Sequence, residues 1–299
     1  MHDSLFGMLQ NAGISYDYLP LLKREEILRI ITNYQGLIVR SKTKIDVDFL
    51  KFATNLRFIG RAGAGLDLID LEEANRRNIK VFAANEGNRD AVAEHVIGLL
   101  LSLTNNLHTA DREVRQGVWR REPNRGNELK NKTVGLIGFG NNGQATAEKL
   151  SGFGVKILAF DKFKKNSQIP NVQLVEMEEI FEQADILSLH IPLTAETNGL
   201  VSSEFLQKFK KLKYLINASR GEIVNLEAVL EALISKKLMG AGLDVLENEK
   251  LDKLSGQQLV TFTSLSKLPN VIFSPHVAGW THESYVRINE VLVEKIVQL

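Results

Sequence analysis

The run from Lys132 to Asp161, KTVGLIGFGNNGQATAEKLSGFGVKILAFD, constrains the fold more than any other part of this chain. Its apolar opening at Thr133–Ile137 predicts a buried strand. Gly138, Gly140 and Gly143 follow in G-x-G-x-x-G spacing, and a helical pattern then covers 144–153. Gly154 stops that helix, and a second buried strand is expected over 155–160, ending on Asp161. A bare glycine-rich turn would account for the glycines alone. It would not account for strand, glycines, helix, strand and acid in this order within one unit of ~30 residues.

Each part has a physical task in holding a dinucleotide. Gly138 permits a tight turn, Gly140 lets backbone approach a pyrophosphate, and Gly143 allows close packing of helix on strand. Free N–H groups and the positive end of the helix face the phosphates. Asp161 can accept both ribose hydroxyls and would repel a 2′-phosphate, so the cofactor expected is NAD.

The rest of the chain alternates. A helix is expected over 3–12, a strand over 14–19, a helix over 23–33 and a strand over 36–40. Helices over 46–54 and 68–77 alternate with strands over 57–60 and 79–83. Later strands fall at 172–175, 185–191, 214–218, 240–245 and 271–274, with a helix over 226–237 that Asn225 can cap and a last helix over 282–299. Such alternation implies parallel βαβ units, so the fold class is α/β with two doubly wound parallel-sheet domains. The dinucleotide domain is expected over 84–278. The other is split into 1–83 and 279–299, so that two connections join them and a cleft lies between. A parallel sheet of this kind usually opens with a strand, whereas this chain opens on a helix, which suggests a missing first strand. The run 90–107 is too apolar for a surface helix, and burial between domains or subunits is expected. The Arg-rich segment 112–130 reads as a polar connection.

Composition excludes several function classes. A formal net charge of +1 gives no global field for nucleic acid or anionic membrane. With no cysteine there is no disulfide, thiolate chemistry or cysteine-ligated metal, which fits a cytoplasmic location. No signal-peptide pattern and no membrane-length apolar run occur. HExxH, G-x-S-x-G and GxxxxGK[ST] are all absent, so a metal-dependent hydrolase has no support and no metal site is expected.

Ligands of open α/β sheets bind outside the carboxyl ends of the strands. After the strand 214–218 come Ser219, Arg220 and Gly221; after the next, Asp244, Glu247 and Glu249; after the last, Pro275, His276, Val277, Ala278 and Gly279. An arginine, a carboxylate and a histidine thus emerge at the edge that carries Gly138–Gly143. Such a set suits hydride transfer on a 2-hydroxy or 2-keto acid. Imidazole exchanges the hydroxyl proton, a carboxylate orients it, and guanidinium grips a carboxylate through parallel bonds. A surface arginine and a satisfied core histidine are the structural alternatives. His190, ending a strand in HIPLT, serves equally as cofactor lining or as packing. In the first domain, Arg61, Gly63, Ala64 and Gly65 form a small-residue loop after a strand. That loop is either an anion-binding concavity or a plain turn. Arg40 at a neighbouring strand end could add charge for a phosphorylated substrate.

These residues lie in VRSKTKID, FIGRAGAGLDLID, GNRDAVAEHVIGLLLSL, ELKNKTVGLIGFGNNG, LHIPLTAET, INASRGEIVN, AGLDVLENE and SPHVAG. In these motifs, and over nearly its whole length, the chain resembles the D-isomer-specific 2-hydroxyacid dehydrogenases. The resemblance implies a Rossmann NAD-binding domain inserted in a flavodoxin-like substrate domain. It implies catalytic Arg220, Glu249 and His276, with His276 as acid/base and Glu249 behind it. NAD contacts are implied from Asn141, Asn142, Asp161, His190, Pro192, Ala218, Ser219, Arg220 and Asp244, the last at the carboxamide. His276, Ala278 and Gly279 would lie beside the nicotinamide, and the substrate carboxylate would rest on N–H groups around Ala64 and Gly65. A homodimer is also implied.

Within the family, the VRS and GRAG contexts of Arg40 and Arg61 favour D-3-phosphoglycerate, the entry to serine biosynthesis. A glyoxylate or hydroxypyruvate reductase is the rival. A remote alternative from another class is a nucleotide-sensing interaction module on the same scaffold.

Overall fold

In the computed structural model, which describes residues 1–299, the glycine-rich turn sits in a seven-stranded parallel sheet, and the residues before it form a separate three-stranded sheet. The chain divides into two compact units, Met1–Arg89 with Trp280–Leu299, and Asp90–Gly279.

The first unit runs α1 (Ser4–Asn11), α2 (Arg24–Ile30), β1 (Gly36–Val39), α3 (Val47–Phe52), β2 (Phe58–Arg61), α4 (Leu71–Arg76) and β3 (Lys80–Ala83). Its strands pair in parallel in the order β1-β2-β3. Asp46 and Asp70 start α3 and α4 by accepting the N–H of Phe49 and Glu73, which satisfies donors that a helix start leaves free.

The second unit runs α5 (Arg89–Thr104), α6 (Leu107–Arg115), β4 (Thr133–Ile137), α7 (Asn141–Leu150), β5 (Lys156–Phe160), β6 (Val172–Leu174), α8 (Met177–Gln183) and β7 (Ile186–Leu189). It continues with α9 (Ser203–Gln207), β8 (Tyr214–Asn217), α10 (Leu226–Ile234), β9 (Gly240–Leu243), α11 (Gly256–Ser266) and β10 (Val271–Phe273). The chain returns to the first unit with α12 (His282–Val297), whose buried Leu292 packs on Gly60 of β2. A capping box between Thr281 and Ser284 opens α12.

The large sheet has the order β10-β9-β8-β7-β4-β5-β6, every pair parallel. Its direction of winding reverses between β4 and β7, so the chain leaves these two strands to opposite sides and a crevice opens beyond their carboxyl ends. Both faces of the sheet are covered. Leu187, Leu215 and Leu243 lie in the core with α8, α9 and α10, while Leu136, Ile157 and Ile216 lie in the core with α5 and α7.

Three expectations need correction. Residues 14–19 form no strand. This segment and β1 instead line a groove of about 870 Å³, the segment pairs with no strand, and it stays largely exposed. The apolar run 90–107 is not one helix: α5 ends at Thr104, and the left-handed Asn106 redirects the chain into α6, which takes up part of the supposed polar connection. The apolarity of α5 has its cause inside the second unit. Val92, Val96, Leu99, Leu100 and Leu103 are buried in the same core as Tyr214 and Ile216, and Leu99 and Leu103 press on Gly242 and Gly240 of β9. Three helical crossovers, α8, α9 and α11, also went unread, because each is short or only weakly amphipathic. The cap by Asn225 forms as expected, its Oδ1 accepting from Ala228 N at 2.9 Å.

Candidate active site

The turn after β4 is built around two glycines that no larger residue can replace. Gly138 has φ +94°, and a Cβ there would strike the His190 carbonyl. A Cβ on Gly143 would collide with the Gly138 carbonyl oxygen, so only glycine lets the first turn of α7 close on the strand end. Gly140, by contrast, is exposed with open space above it. That is the approach a pyrophosphate needs, at the start of a ten-residue helix. Asn141 and Asn142 form the first residues of α7, and the buried Oδ1 of Asn142 has no hydrogen-bond partner in the protein.

Asp161 closes the unit. Its Oδ2 accepts from Phe139 N at 2.7 Å and its Oδ1 from Phe163 and Lys164 N at 2.9 and 3.0 Å. Burial alone would raise its pKa, but the three backbone bonds prevail and hold it below the ordinary carboxylate range. A fixed anion therefore stands at the end of β5. The residues fit a dinucleotide, with Asp161 on the ribose side and Gly140 and the α7 start on the phosphate side.

His190 lies at the end of β7, behind the glycine turn. Its backbone N–H reaches Ile137 O at 2.7 Å, and its Nε2 meets Ser188 Oγ at 2.9 Å. Burial lowers its pKa from 6.5 to about 4. The fold thus favours the neutral ring, and this contribution is full above pH 6.5 and is lost as pH falls from there through about 4. Wild-type unfolding free energy is expected to drop by up to about 3 kcal/mol over that window. A His190→Gln variant should show a flatter profile in urea titrations at pH 7 and pH 4.5, and equal slopes would refute the assignment. Pro192 follows in the exposed loop, its carbonyl accepting from Thr197 Oγ1 at 2.7 Å.

At the end of β8 the buried Asn217 shapes the next turn. Its Nδ2 donates to Arg220 O at 2.9 Å, and its Oδ1 accepts from Ser219 N and Ser219 Oγ. Ala218, Ser219 and Arg220 emerge half-buried beyond it. Arg220 donates through Nη1 to Ser219 O at 2.7 Å. A Cβ on Gly221 would run into the Leu246 carbonyl group, so the Arg220 turn lies directly on the loop that leads to Glu249. Sequence reasoning overlooked Asn217, whose signal was a polar residue at the end of an otherwise apolar strand.

Glu249 Oε1 lies 2.8 Å from His276 Nδ1, with both side chains about half exposed. Asp244 is the anchor beneath them. Its Oδ1 accepts from Ser274 Oγ at 2.6 Å and Val277 N at 2.9 Å, and its Oδ2 accepts from Ala278 N at 2.9 Å. Burial opposes its ionisation, yet hydrogen bonds from His95, Ser274, Ala278 and Val277 bring its pKa down to about 2. Its side chain is fully buried, facing the loop 274–278. Ala278 is buried and Gly279 half-buried at the end of that loop.

The first unit presents a second polar set. Ala62 N donates to Val39 O at 2.9 Å, which brings the loop after β2 beside Arg40 after β1. The Arg40 guanidinium stacks over Tyr285 and Trp280, 4.7 and 5.3 Å from the ring centroids, and Nη1 donates to Tyr285 Oη at 2.5 Å. Arg61 turns back on its own loop, with Nε on Gly65 O at 3.0 Å and Nη1 on Ala62 O at 2.6 Å. Gly63 carries φ +145°, and a side chain there would collide with that guanidinium. Gly63 N is taken by Arg61 O, while Ala64 and Gly65 are half-buried and turn no backbone N–H to a backbone acceptor.

A parallel sheet with a switch point, a glycine turn and a fixed anion at the end of the next strand defines a dinucleotide-dependent α/β protein. Residues 97–278 match the model of the D-isomer specific 2-hydroxyacid dehydrogenase, NAD binding domain. The chain belongs to that family and carries its NAD-binding domain. It is 37% identical over 275 residues to a hydroxypyruvate reductase of Thermotoga maritima, covering 92% of this chain and 88% of that protein. It is 35% identical over 293 residues to a D-3-phosphoglycerate dehydrogenase of Archaeoglobus fulgidus, covering 97% of this chain and 54% of that protein. A crystal structure of D-lactate dehydrogenase from Aquifex aeolicus with NAD and lactic acid superposes with a TM-score of 0.82 at 25% identity, covering 99% of this chain and 92% of that one. No helix is long and apolar enough to cross a membrane, and no group of three or more His, Asp or Glu is placed to hold a metal ion.

Proposed function

We propose that this enzyme oxidises D-3-phosphoglycerate to 3-phosphohydroxypyruvate, or catalyses the reverse, with Arg220, Glu249 and His276 as its catalytic residues. NAD, when bound, supplies the hydride acceptor. The Glu249 carboxylate accepts a hydrogen bond from Nδ1–H of His276, which leaves the Nε2 lone pair as the base for the substrate hydroxyl proton. The same carboxylate stabilises the imidazolium that results. Arg220, held at its turn by Asn217, offers a guanidinium to the substrate carboxylate and polarises the neighbouring carbonyl.

The observation that carries the substrate is Arg40. Two aromatic rings fix its plane, and a single hydrogen bond to Tyr285 leaves donors along the edge of the guanidinium for a second anionic group. The N–H groups of Ala64 and Gly65 lie on the neighbouring loop and suit a carboxylate. Arg61 braces that loop and contributes chiefly its shape.

The second reading, a reductase of glyoxylate or hydroxypyruvate, draws support from the 37% identity to a hydroxypyruvate reductase over most of its length. NADH absorbance with D-3-phosphoglycerate, phosphohydroxypyruvate, hydroxypyruvate and glyoxylate separates the two. An Arg40→Met variant is expected to lose about 10-fold or more in kcat/KM for the phosphorylated pair. Preference of the wild type for the unphosphorylated acids, with Arg40→Met unchanged, would sink the phosphate reading. A homodimer and a cytoplasmic location belong to the same proposal, and light scattering of the purified chain tests the first.

A further inference from the structure

A single hydroxyl proton decides how three side chains around the His276 loop are wired. Ser274 Oγ lies 2.6 Å from Asp244 Oδ1 and 2.8 Å from His95 Nε2. An ionised carboxylate can only accept, so the Ser274 proton goes to Asp244. His95 must then meet the hydroxyl as the donor, through Nε2–H, and the same nitrogen stands 3.4 Å from Asp244 Oδ1. His95 is half-buried on α5, 179 residues away from Ser274.

Asp244 passes this constraint on. Its carbonyl accepts from His276 N at 2.7 Å, and its two carboxylate oxygens accept from Val277 N and Ala278 N at 2.9 Å. Three successive N–H groups converge on one residue. The loop they hold contains His276 at φ +55°, a left-handed conformation uncommon for any residue other than glycine.

We propose that His95 is a positioning residue for His276. Its Nε2–H holds Ser274, Ser274 and His95 together hold the Asp244 carboxylate in one orientation, and that orientation fixes the backbone on which the acid/base stands. The role rests on the dehydrogenase reading for its effect on rate, but not for its effect on the loop.

The test uses His95→Leu, His95→Gln, Ser274→Ala and the double variant His95→Leu/Ser274→Ala. His95→Leu is expected to lower kcat about 10-fold while KM for NADH stays within about twofold. Amide hydrogen exchange of the cofactor-free protein should quicken about 10-fold at Val277 and Ala278 and stay unchanged in β4. Glutamine, which can still donate, should restore both readouts to within about threefold of wild type. The double variant should be no worse than His95→Leu, because both substitutions break one network. Wild-type values in His95→Leu would overturn the proposal, as would glutamine failing like leucine or protection lost throughout the sheet. If the wild type turns over none of the four acids, the proposed substrates fall, and exchange at Val277 and Ala278 still decides the role of His95.

Discussion

Replacing His276 by asparagine is expected to lower kcat by about 10²–10⁴-fold while the fold and NAD binding survive. The size follows from losing the group proposed to carry the hydroxyl proton. Survival follows from the backbone. His276 sits at φ +55°, and asparagine is among the few side chains that adopt this region readily. Its N–H bond to Asp244 O is a main-chain contact and is retained. The ion pair with Glu249 joins two half-exposed groups, so its loss should cost little stability. Steady-state rates, with NADH fluorescence titration as the control, decide the matter. A fall of less than 10-fold would remove His276 from the acid/base role.

The second large effect concerns cofactor choice. Asp161→Asn is expected to raise the preference for NADP relative to NAD by about 10²-fold. Asp161 is held ionised by three backbone N–H groups, so wild type sets a negative charge at the end of β5, where the proposed site would receive the ribose. Two like charges about 4 Å apart repel by about 4 kcal/mol at an effective dielectric of 20, and partial exposure reduces this to roughly 2–3 kcal/mol. Asparagine keeps one oxygen for Phe163 and Lys164 and loses the acceptor for Phe139 N, so some weakening of NAD itself is also expected. The ratio of kcat/KM for the two cofactors measures the outcome. An unchanged ratio would mean that Asp161 serves the loop alone.

Much of the second unit was legible from residue order. The glycines at 138, 140 and 143, the apolar strands around them and Asp161 form a local pattern, because each acts on neighbours within one βαβ unit. The positions of Arg220 and His276 were legible for a related reason: each follows a buried strand, and parallel strands bring their carboxyl ends to one edge, whereas among Asp244, Glu247 and Glu249 only the family resemblance singled out Glu249. The strand expected at 14–19 failed because strand formation depends on a partner edge, which no local pattern reports. The single helix expected over 90–107 failed because composition does not reveal the left-handed turn at Asn106.

Sequence by itself determined the α/β class, the NAD-binding unit and the residue types at its strand ends, since hydrophobic period and glycine spacing are properties of adjacent residues. Only the tertiary structure decided which distant groups meet. It set His95 against Ser274 and Asp244, and stacked Arg40 over Trp280 and Tyr285. The physical reason is that these contacts span helical crossovers and chain returns, whose packing positions side chains that no local spacing relates.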